Sequence, residues 1–345
     1  MTQQSRAGQA LTVRDLPAPP PGKSGWPWTE GTPPAPAGEW PRISVVTPSY
    51  NQGDYIEETI RSVLLQGYPD LEYWVMDGGS KDQTVAVLEK YAPFLAGWVS
   101  EKDRGQTHAI NKGLERASGE VLAYLNSDDT LLPGALQQVG RAFRRPEVMI
   151  TTGLRKQIDA DSRFIRNQLM GLPREAFLRY YCAINQETTF WRRAVLDKVG
   201  LFDETFNYTM DYDYWQRVMD AGFRFTLLPH YLGTIRLHDT SKGTTLDHVR
   251  DQELSRIYQR YGLAQNEDEA RERLTQTIPG WRQKRDMAEW LAAKPISNDR
   301  AWLVVLLYRL LYTPVIGQMI LRPFMAYARM RQRQIAGRAA SARDN

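Results

Sequence analysis

Four short apolar runs alternate with helix-like segments between residues 43 and 126, and this alternation limits the fold more than any other feature. The runs are ISVVT (43–47), LEYWVMD (71–77), LAGWVSE (95–101) and EVLAYLN (120–126). After the first run, Ile56, Ile60 and Val63 recur at helical spacing. Strands joined through helices by short loops require right-handed crossovers and parallel pairing. The sequence therefore predicts an α/β fold, with a mostly parallel sheet covered by helices on both faces.

A polar segment follows each of the four predicted strands. These segments are TPSYN (47–51), DGGS (77–80), EKDRGQ (101–106) and NSDD (126–129). The carboxyl ends of parallel strands meet at one edge of a sheet, where α/β proteins bind their ligands. Helix capping explains one or two such segments but hardly all four. We therefore expect a binding site at this edge.

Composition divides the 345 residues into four parts. Residues 1–40 are rich in proline, which predicts a disordered or loosely packed segment, although Trp26, Trp28 and Trp40 indicate that its end contacts the folded body. Residues 41–240 form the predicted α/β domain. Residues 241–295 form a helical extension, and residues 296–345 an apolar and then basic helical tail.

Several functional classes lack their sequence signals. No G-x-G-x-x-G follows the first strand, and no P-loop, zinc-type His/Cys spacing or G-x-S-x-G occurs. The net charge of +4 is mild, and we predict no nucleic-acid partner. The single cysteine, Cys182, cannot form an internal disulfide.

Three stretches resemble a known family. They are ISVVTPSYNQGDYIEETIRSVLLQGYPDLEYWVMDGGSKDQT, SEKDRGQTHAINKGLERASGEVLAYLNSDD and FDETFNYTMDYDYWQRVMDAG. Together they resemble the GT-A-fold, family 2 inverting glycosyltransferases, in the bacterial form that builds surface polysaccharides or glycolipids. The resemblance covers roughly residues 42–240. It implies a Rossmann-like GT-A domain that moves a sugar from a UDP- or dTDP-type donor to a hydroxyl of a glycan or lipid-linked acceptor. No Q-x-x-R-W occurs, so a processive synthase is disfavoured.

The resemblance also implies a nucleotide-binding set. Its members are Thr47, Ser49, Tyr50, Asp77, Gly105, Gln106, Asn126 and Ser127. Asp77 would accept a hydrogen bond from a uracil or thymine ring, and its alternative role is an Asx turn that caps the next helix. Gly105 would let the chain pass close to the nucleotide, or it is a plain loop glycine. Asn126 stands where many relatives have Asp.

The paired acids at the end of the fourth strand have two interpretations. Ser or Asp there could cap a helix. The resemblance instead places Asn126, Ser127 and Asp128 at the family's D-x-D position, with Asp129 immediately after it. It implies Asp128 and Asp129 as ligands of Mn²⁺ or Mg²⁺, with His238 completing the set. A divalent cation would offset the repulsion between the two carboxylates and the charge of a leaving diphosphate.

An inverting transfer needs a general base for the acceptor hydroxyl. The family spacing between base and helix arginine selects Asp211, and the alternative is that Asp211 only caps its helix. The resemblance further places an acceptor-side set of four residues: Gln186, Glu187, Asp213 and Arg217.

The tail predicts peripheral membrane contact through residues 300–335. Residues 302–321 are apolar and interrupted by Arg309, and many arginines follow. One or two helices in the membrane interface, with arginines at anionic headgroups, fit this pattern. The alternative is a terminal helical pair packed on the domain or on another subunit. The N-terminus has no secretory signal, so we expect a cytoplasmic protein at the inner face of a bacterial plasma membrane.

Two other functions compete with glycosyl transfer. The first is an inactive scaffold on a GT-A fold, which the joint retention of Asp77, Asp128, Asp129 and Asp211 disfavours. The second is a nucleotidyltransferase, which would need a glycine-rich, basic loop after the first strand. TPSYNQGDY has neither property.

Overall fold

A single sheet of nine strands organises the protein. The computed structural model describes residues 10–168, 174–239, 241, 247–292 and 297–311. The strands are β1 (Ile43–Ser49), β2 (Leu71–Asp77), β3 (Gly97–Ser100), β4 (Val121–Tyr124), β5 (Thr130–Leu131), β6 (Ile150–Asp159), β7 (Phe164–Gln168), β8 (Phe190–Arg192) and β9 (Phe225–Leu237). Their order in the sheet is β3-β2-β1-β4-β8-β6-β9-β5, and β7 pairs with β6.

The sheet has a parallel half and a mixed half. β1 pairs in parallel with β2 and β4, and β2 pairs in parallel with β3. Beyond β4 the strand directions are mixed. β8 is antiparallel to both β4 and β6, whereas β6 is parallel to β9. The parallel sheet that we expected is therefore uninterrupted only among the first four strands, and β6 and β9 form one further parallel pair. In the second half, β6 turns directly into the antiparallel β7 without a crossover helix.

Helices cover both faces of the sheet, as expected. They are α1 (Ile56–Leu64), α2 (Thr84–Tyr91), α3 (Gln106–Arg116), α4 (Ala135–Phe143), α5 (Glu175–Leu178), α6 (Arg193–Val199), α7 (Met210–Asp220), α8 (Asp247–Arg260), α9 (Glu267–Thr277), α10 (Trp281–Ala292) and α11 (Ala301–Leu311). Consecutive residues of β4 point to opposite faces of the sheet and pack in different apolar clusters. Leu122 packs with α3, α7 and α8, whereas Val121 packs with α1, α2 and α4.

The proline-rich segment differs from its prediction. From residue 10 onward it packs on the domain, with Leu11, Leu16 and Trp28 buried. The fully buried Arg61 of α1 explains why. Its guanidinium donates to the carbonyls of Pro17, Pro27 and Trp28 and to the hydroxyl of Tyr91. Backbone oxygens thus fix a segment whose composition alone predicts disorder.

The predicted helical extension shares a core with the α/β domain. Leu254 and Ile257 of α8, Leu274 of α9 and Trp281 of α10 lie in the same apolar cluster as α7. The apolar and basic tail lies mostly outside the described residues, which end at 311. Within the described ranges, no helix is long and apolar enough to cross a bilayer.

Candidate active site

A cleft of about 1540 Å³ opens at the carboxyl edge of the parallel strands. Its wall includes the segments that follow β1, β2, β3 and β4, and it continues onto β6, the start of α7 and α8. Single-ligand pockets commonly measure about 300–1,000 Å³. This cleft therefore has room for a nucleotide sugar and part of a second substrate.

Six of the eight predicted nucleotide residues line this cleft: Ser49, Tyr50, Gly105, Gln106, Asn126 and Ser127. Ser49 Oγ is buried without a hydrogen-bond partner among the described residues, so it can bond to a ligand. Gly105 has a φ of +119°, which favours glycine, and begins α3. This conformation gives Gly105 a backbone role beyond that of a plain loop glycine.

The structure does not bring Thr47 or Asp77 to the cleft wall. Thr47 is fully buried, and its hydroxyl lies 2.9 Å from the hydroxyl of Tyr73. Asp77 is also fully buried and accepts hydrogen bonds from the amides of Gly79 and Ser80 and from the hydroxyls of Ser80 and Ser100. Asp77 thus forms the Asx turn that was its alternative role, and a base contact would require one of these hydroxyls to turn away.

Asp128 and His238 meet although 110 positions separate them in the chain. Asp128 Oδ2 lies 3.0 Å from His238 Nε2, and the imidazole packs against the ring of Tyr55 at 4.8 Å. The Asp128 side chain is partly exposed to the cleft. A carboxylate and an imidazole in contact at a cleft form a donor set that suits Mn²⁺ and accepts Mg²⁺.

Asp129 also lines the cleft, but its side chain is almost fully buried. Its Oδ1 accepts a hydrogen bond from the backbone of Arg236 at 3.0 Å, and its Oδ2 accepts one from Asn126 at 3.2 Å. Burial, with the charges of Asp128 and Glu187, raises the pKa of Asp129 well above its usual range. Among the described residues, no three His, Cys, Asp or Glu side chains converge as a metal site. Asp128 and His238 are therefore the better-placed pair, and Asp129 organises the loop.

A network of side-chain amides spans the floor between these elements. Asn126 accepts a hydrogen bond from Gln106 at 2.6 Å and donates to Gln186 at 3.4 Å. Gln186 in turn donates to the carbonyl of Tyr124 at 2.6 Å. Asn126, which replaces the acid of many relatives, thus links α3, the end of β4 and the predicted acceptor side.

Asp211 lies in the first turn of α7, at the cleft. Burial raises its pKa from 3.8 to about 6, with opposing contributions from Glu187 and Arg155. It accepts the backbone N–H of Tyr212 at 2.8 Å. A carboxyl with a pKa near the working pH is suited to accept a proton.

Glu187 lies in the same cleft, as predicted, but it already has a partner. Arg155 of β6 approaches both Glu187 oxygens, at 3.3 and 3.4 Å, and both side chains are largely buried. Sequence reasoning did not find Arg155, because an arginine in a strand has no local signal for its partner.

Asp213 and Arg217 are not at the cleft, which corrects their acceptor-side placement. Asp213 is fully buried and pairs with Arg217 at 3.1 Å, with Arg260 at 2.8 Å and with the hydroxyl of Tyr261 at 2.9 Å. Arg217 donates to the carbonyls of Val199 and Leu201. Asp213 lies two positions after Asp211, on the opposite side of the helix, and therefore points into the core instead of the cleft.

Arg236 is a second residue that sequence reasoning missed. Its side chain is fully buried, donates to the Asp128 carbonyl at 2.8 Å and pairs with Glu58 at 3.1 Å. It also lies over the ring of Tyr55 at 4.9 Å. Arg236 therefore fixes the acidic loop from behind, and its position two residues before His238 is the only sequence signal.

The family comparison agrees with this geometry. The Glycosyl transferase family 2 model matches residues 44–200. An uncharacterized glycosyltransferase of Mycobacterium tuberculosis is 31% identical over 186 residues, which cover 50% of this chain and 67% of that protein. The chain belongs to glycosyl transferase family 2. An uncharacterized glycosyltransferase of Rickettsia typhi is 29% identical over 185 residues, and the match covers 51% of this chain and 58% of that relative.

Two solved structures share the fold. Staphylococcus aureus TarS 1-349 in complex with UDP-GlcNAc has a TM-score of 0.55 at 19% identity, covering 73% of this chain and 79% of TarS 1-349. A mannosyltransferase from Pyrobaculum calidifontis in complex with GDP-Man and Mn²⁺ has a TM-score of 0.52 at 19% identity, covering 87% and 90% of the two chains. The predicted GT-A fold is confirmed.

Proposed function

We propose that the protein transfers a sugar from a nucleotide-diphosphate donor to an acceptor hydroxyl, with inversion at the anomeric carbon and with help from a divalent cation. One observation carries this proposal. A single cleft contains the predicted nucleotide residues that follow three strands, the Asp128 carboxylate in contact with His238, and the Asp211 carboxyl. Family membership supports it, because relatives of this family are named glycosyltransferases.

The donor is proposed to be of the UDP or dTDP type. Ser49, Tyr50, Gly105 and Gln106 are the candidate nucleoside contacts on the cleft wall. Asp77 would accept the imide N–H of uracil or thymine after the Ser80 or Ser100 hydroxyl turns away from its carboxylate, and Thr47 would shape the strand end that carries Ser49. The TarS structure holds UDP-GlcNAc and the mannosyltransferase holds GDP-Man, so the test below includes both uridine and guanosine donors.

Asp128 and His238 are the proposed cation ligands, with donor phosphate oxygens completing the set. Two protein ligands are enough for this arrangement, since Mg²⁺ commonly uses one or two carboxylates plus substrate phosphates. A bound cation supplies Lewis-acid stabilisation for the charge of the departing diphosphate.

Asp211 is the proposed general base. Its ionised carboxylate would take the proton of the acceptor hydroxyl as that oxygen attacks the anomeric carbon and the nucleoside diphosphate leaves with the bonding electrons. At pH 7 a group with a pKa of about 6 is mostly ionised, and it is a stronger base than an ordinary aspartate. Gln186 and Glu187 are the proposed acceptor-side residues that remain at the cleft.

The acceptor is proposed to be a glycan or a lipid-linked glycan at the cytoplasmic face of the plasma membrane. The described part of the tail supports this through α11. That helix buries Ala301, Val304 and Val305 and exposes Trp302 and Leu306. An exposed apolar helix face followed in sequence by many arginines fits an anionic membrane interface.

A hydrolysis panel tests the function without knowledge of the acceptor. UDP-, dTDP- and GDP-sugars are incubated with the protein, with Mn²⁺ or with EDTA, and release of nucleoside diphosphate is measured. We expect Mn²⁺-dependent release from a UDP- or dTDP-sugar, inverted configuration of the freed sugar by NMR, and no release by Asp211→Asn. Donor binding without turnover in any arm, including a panel of lipid-linked acceptors, would instead support the scaffold alternative. Pyrophosphate release from a nucleoside triphosphate would support the nucleotidyltransferase.

A further inference from the structure

One carboxylate of α8 holds the loop that leads into α7. Glu253 accepts the backbone N–H groups of Asn207 at 2.7 Å, Tyr208 at 2.9 Å and Thr209 at 2.8 Å. It also accepts the hydroxyl of Thr209 at 3.0 Å. Glu253 is 7% exposed. Three successive amides and one hydroxyl thus converge on a single buried carboxylate.

These bonds hold the segment that enters α7, immediately before its first turn. Thr209 is the N-cap residue, and its own side chain makes no capping hydrogen bond. The first N–H groups of a helix need acceptors, and a negative charge there is favoured by the helix dipole. Hydrogen bonds to a carboxylate are also stronger than those between neutral groups. Glu253 therefore places a buried negative charge from α8 beside the N-terminus of α7 and fixes the residues that lead into it.

The position of Asp211 depends on this loop. Among the described residues, no side chain donates a hydrogen bond to Asp211, and its carboxylate accepts the backbone N–H of Tyr212. Its carboxyl is therefore aimed by the backbone of the first turn of α7, two residues after Thr209. Movement of residues 207–209 would move Asp211 directly.

Neighbouring residues of α8 hold the loop only at its two ends. Arg256 donates to the Thr205 carbonyl at 3.1 Å, and Arg260 pairs with Asp203 and Asp213, both at 2.8 Å. These contacts lie before and after residues 207–209. In the middle of the loop, Glu253 accepts the N–H groups of three consecutive residues.

We propose that Glu253 is a positioning residue for the general base: it fixes residues 207–209 so that the Asp211 carboxyl faces the cleft. The assignment rests on the proposed role of Asp211. It also gives α8, which lies beyond the residues matched by the family model, a part in the reaction.

Hydrogen exchange tests the loop independently of activity. In Glu253→Gln, one acceptor oxygen remains, but the charge is lost and an N–H₂ group meets the amide donors. We expect the amides of residues 207–209 to exchange about tenfold faster or more, as for the loss of hydrogen bonds to a charged acceptor. Glu269→Gln is the matched control, because Glu269 accepts the amide of Gln265 on the exposed surface of α9. Unchanged exchange at 207–209 in Glu253→Gln would overturn the proposal.

Activity supplies a second readout, with the best donor of the hydrolysis panel. A misplacement of about 1 Å can lower a catalytic rate by about 100-fold. We therefore expect kcat of Glu253→Gln to fall about 10- to 100-fold while KM for the donor stays within about twofold. An equal fall in kcat for Glu269→Gln, or a wild-type kcat for Glu253→Gln, would contradict the proposal.

The pH profile separates positioning from simple instability. The charged and titratable groups that act on Asp211 are Glu187 and Arg155, and those on which Asp211 acts are Tyr124 and Cys182. None of these is altered in Glu253→Gln. A loosened loop admits water to Asp211 and lowers its raised pKa, so the acid limb of kcat should move at least about one pH unit below that of the wild type. A partly unfolded protein would lose rate equally at every pH and leave the limb in place, which would refute positioning.

If the wild-type protein hydrolyses no donor, the proposed function fails while the exchange result still decides whether Glu253 holds the loop. If the panel succeeds and exchange is unchanged, only the positioning role fails. Should Glu253→Gln not fold, Thr209→Val is the second variant. It removes one of the four bonds, and faster exchange confined to residues 207–209 is then the expected result, whereas unchanged exchange would overturn the proposal.

Discussion

Asp211 and Asp213 lie two positions apart on α7, yet their replacement by asparagine should have opposite effects on stability. Asp211 has no cation bonded to it among the described residues, and burial raises its pKa from 3.8 to about 6. Asp213 is held by Arg217, Arg260 and Tyr261. The Asp211 carboxylate therefore lowers the free energy of unfolding, whereas the Asp213 carboxylate raises it.

The magnitude for Asp211 follows from its pKa. Each pKa unit corresponds to about 1.4 kcal/mol, so ionised Asp211 costs the folded state about 3 kcal/mol at most. Because the folded pKa lies above the unfolded one, the cost is fully present above pH 6 and disappears as the pH falls toward 4. Asp211→Asn should therefore raise the free energy of unfolding by about 2–3 kcal/mol at pH 8 and by almost nothing at pH 4.

Asp213→Asn should lower the free energy of unfolding. Removing one partner of a buried ion pair costs about 3–5 kcal/mol. Arg217 and Arg260 are partly accessible here, so we expect about 2–3 kcal/mol at pH 7. The two variants make a matched pair, since each replaces the same side chain in the same helix.

Urea unfolding of the wild type and both variants at pH 4.5, 6 and 8 measures these differences. The reasoning requires a gain for Asp211→Asn that grows with pH, together with loss of donor hydrolysis at every pH. A destabilised Asp211→Asn protein at pH 8, or a gain of equal size at all three pH values, would refute it. A stabilising Asp213→Asn would show that its ion pairs are not what holds α7.

Two further predictions concern the cation site and the tail. Asp128→Ala should lower Mn²⁺-stimulated hydrolysis more than about 100-fold at an unchanged melting temperature, as measured by diphosphate release and thermal unfolding, because a partly exposed cation ligand is lost. A fully active Asp128→Ala, Asp129→Ala double variant would exclude the cation role. Replacing both Trp302 and Leu306 by Glu should abolish pelleting with anionic vesicles, which salt should also weaken in the wild type; undiminished pelleting would assign the contact elsewhere.

The local pattern of apolar and polar residues predicted those strands and helices whose formation depends on residues close in sequence. The period of apolar side chains gave the strands and helices of residues 43–126, and the polar strand ends gave the edge at which the cleft lies. The same pattern could not orient individual side chains in β1. Thr47 and Ser49 lie two positions apart and therefore on the same face of β1, so the strand period could not show that Thr47 meets Tyr73 whereas Ser49 lines the cleft.

Contacts between distant parts of the chain were beyond local pattern. The approach of His238 to Asp128 was implied only by resemblance to a family. Arg155 with Glu187, and Glu253 with residues 207–209, involve partners that are 32 and 44 to 46 positions apart. The Glu253 carboxylate accepts hydrogen bonds from backbone N–H groups, which every residue except proline has. The sequence of the loop therefore carries no signal of this contact.

The buried Arg61 has a practical consequence for anyone who trims this gene. A chain shortened to begin at Arg42 would keep every described strand and every cleft residue, and it would lack the proline-rich segment whose composition predicts disorder. Yet it would lose three of the four oxygens that accept hydrogen bonds from the Arg61 guanidinium. The proline-rich segment therefore supplies acceptors to a buried charge. Its removal would leave the Arg61 guanidinium inside the protein with the hydroxyl of Tyr91 as its remaining acceptor of these four.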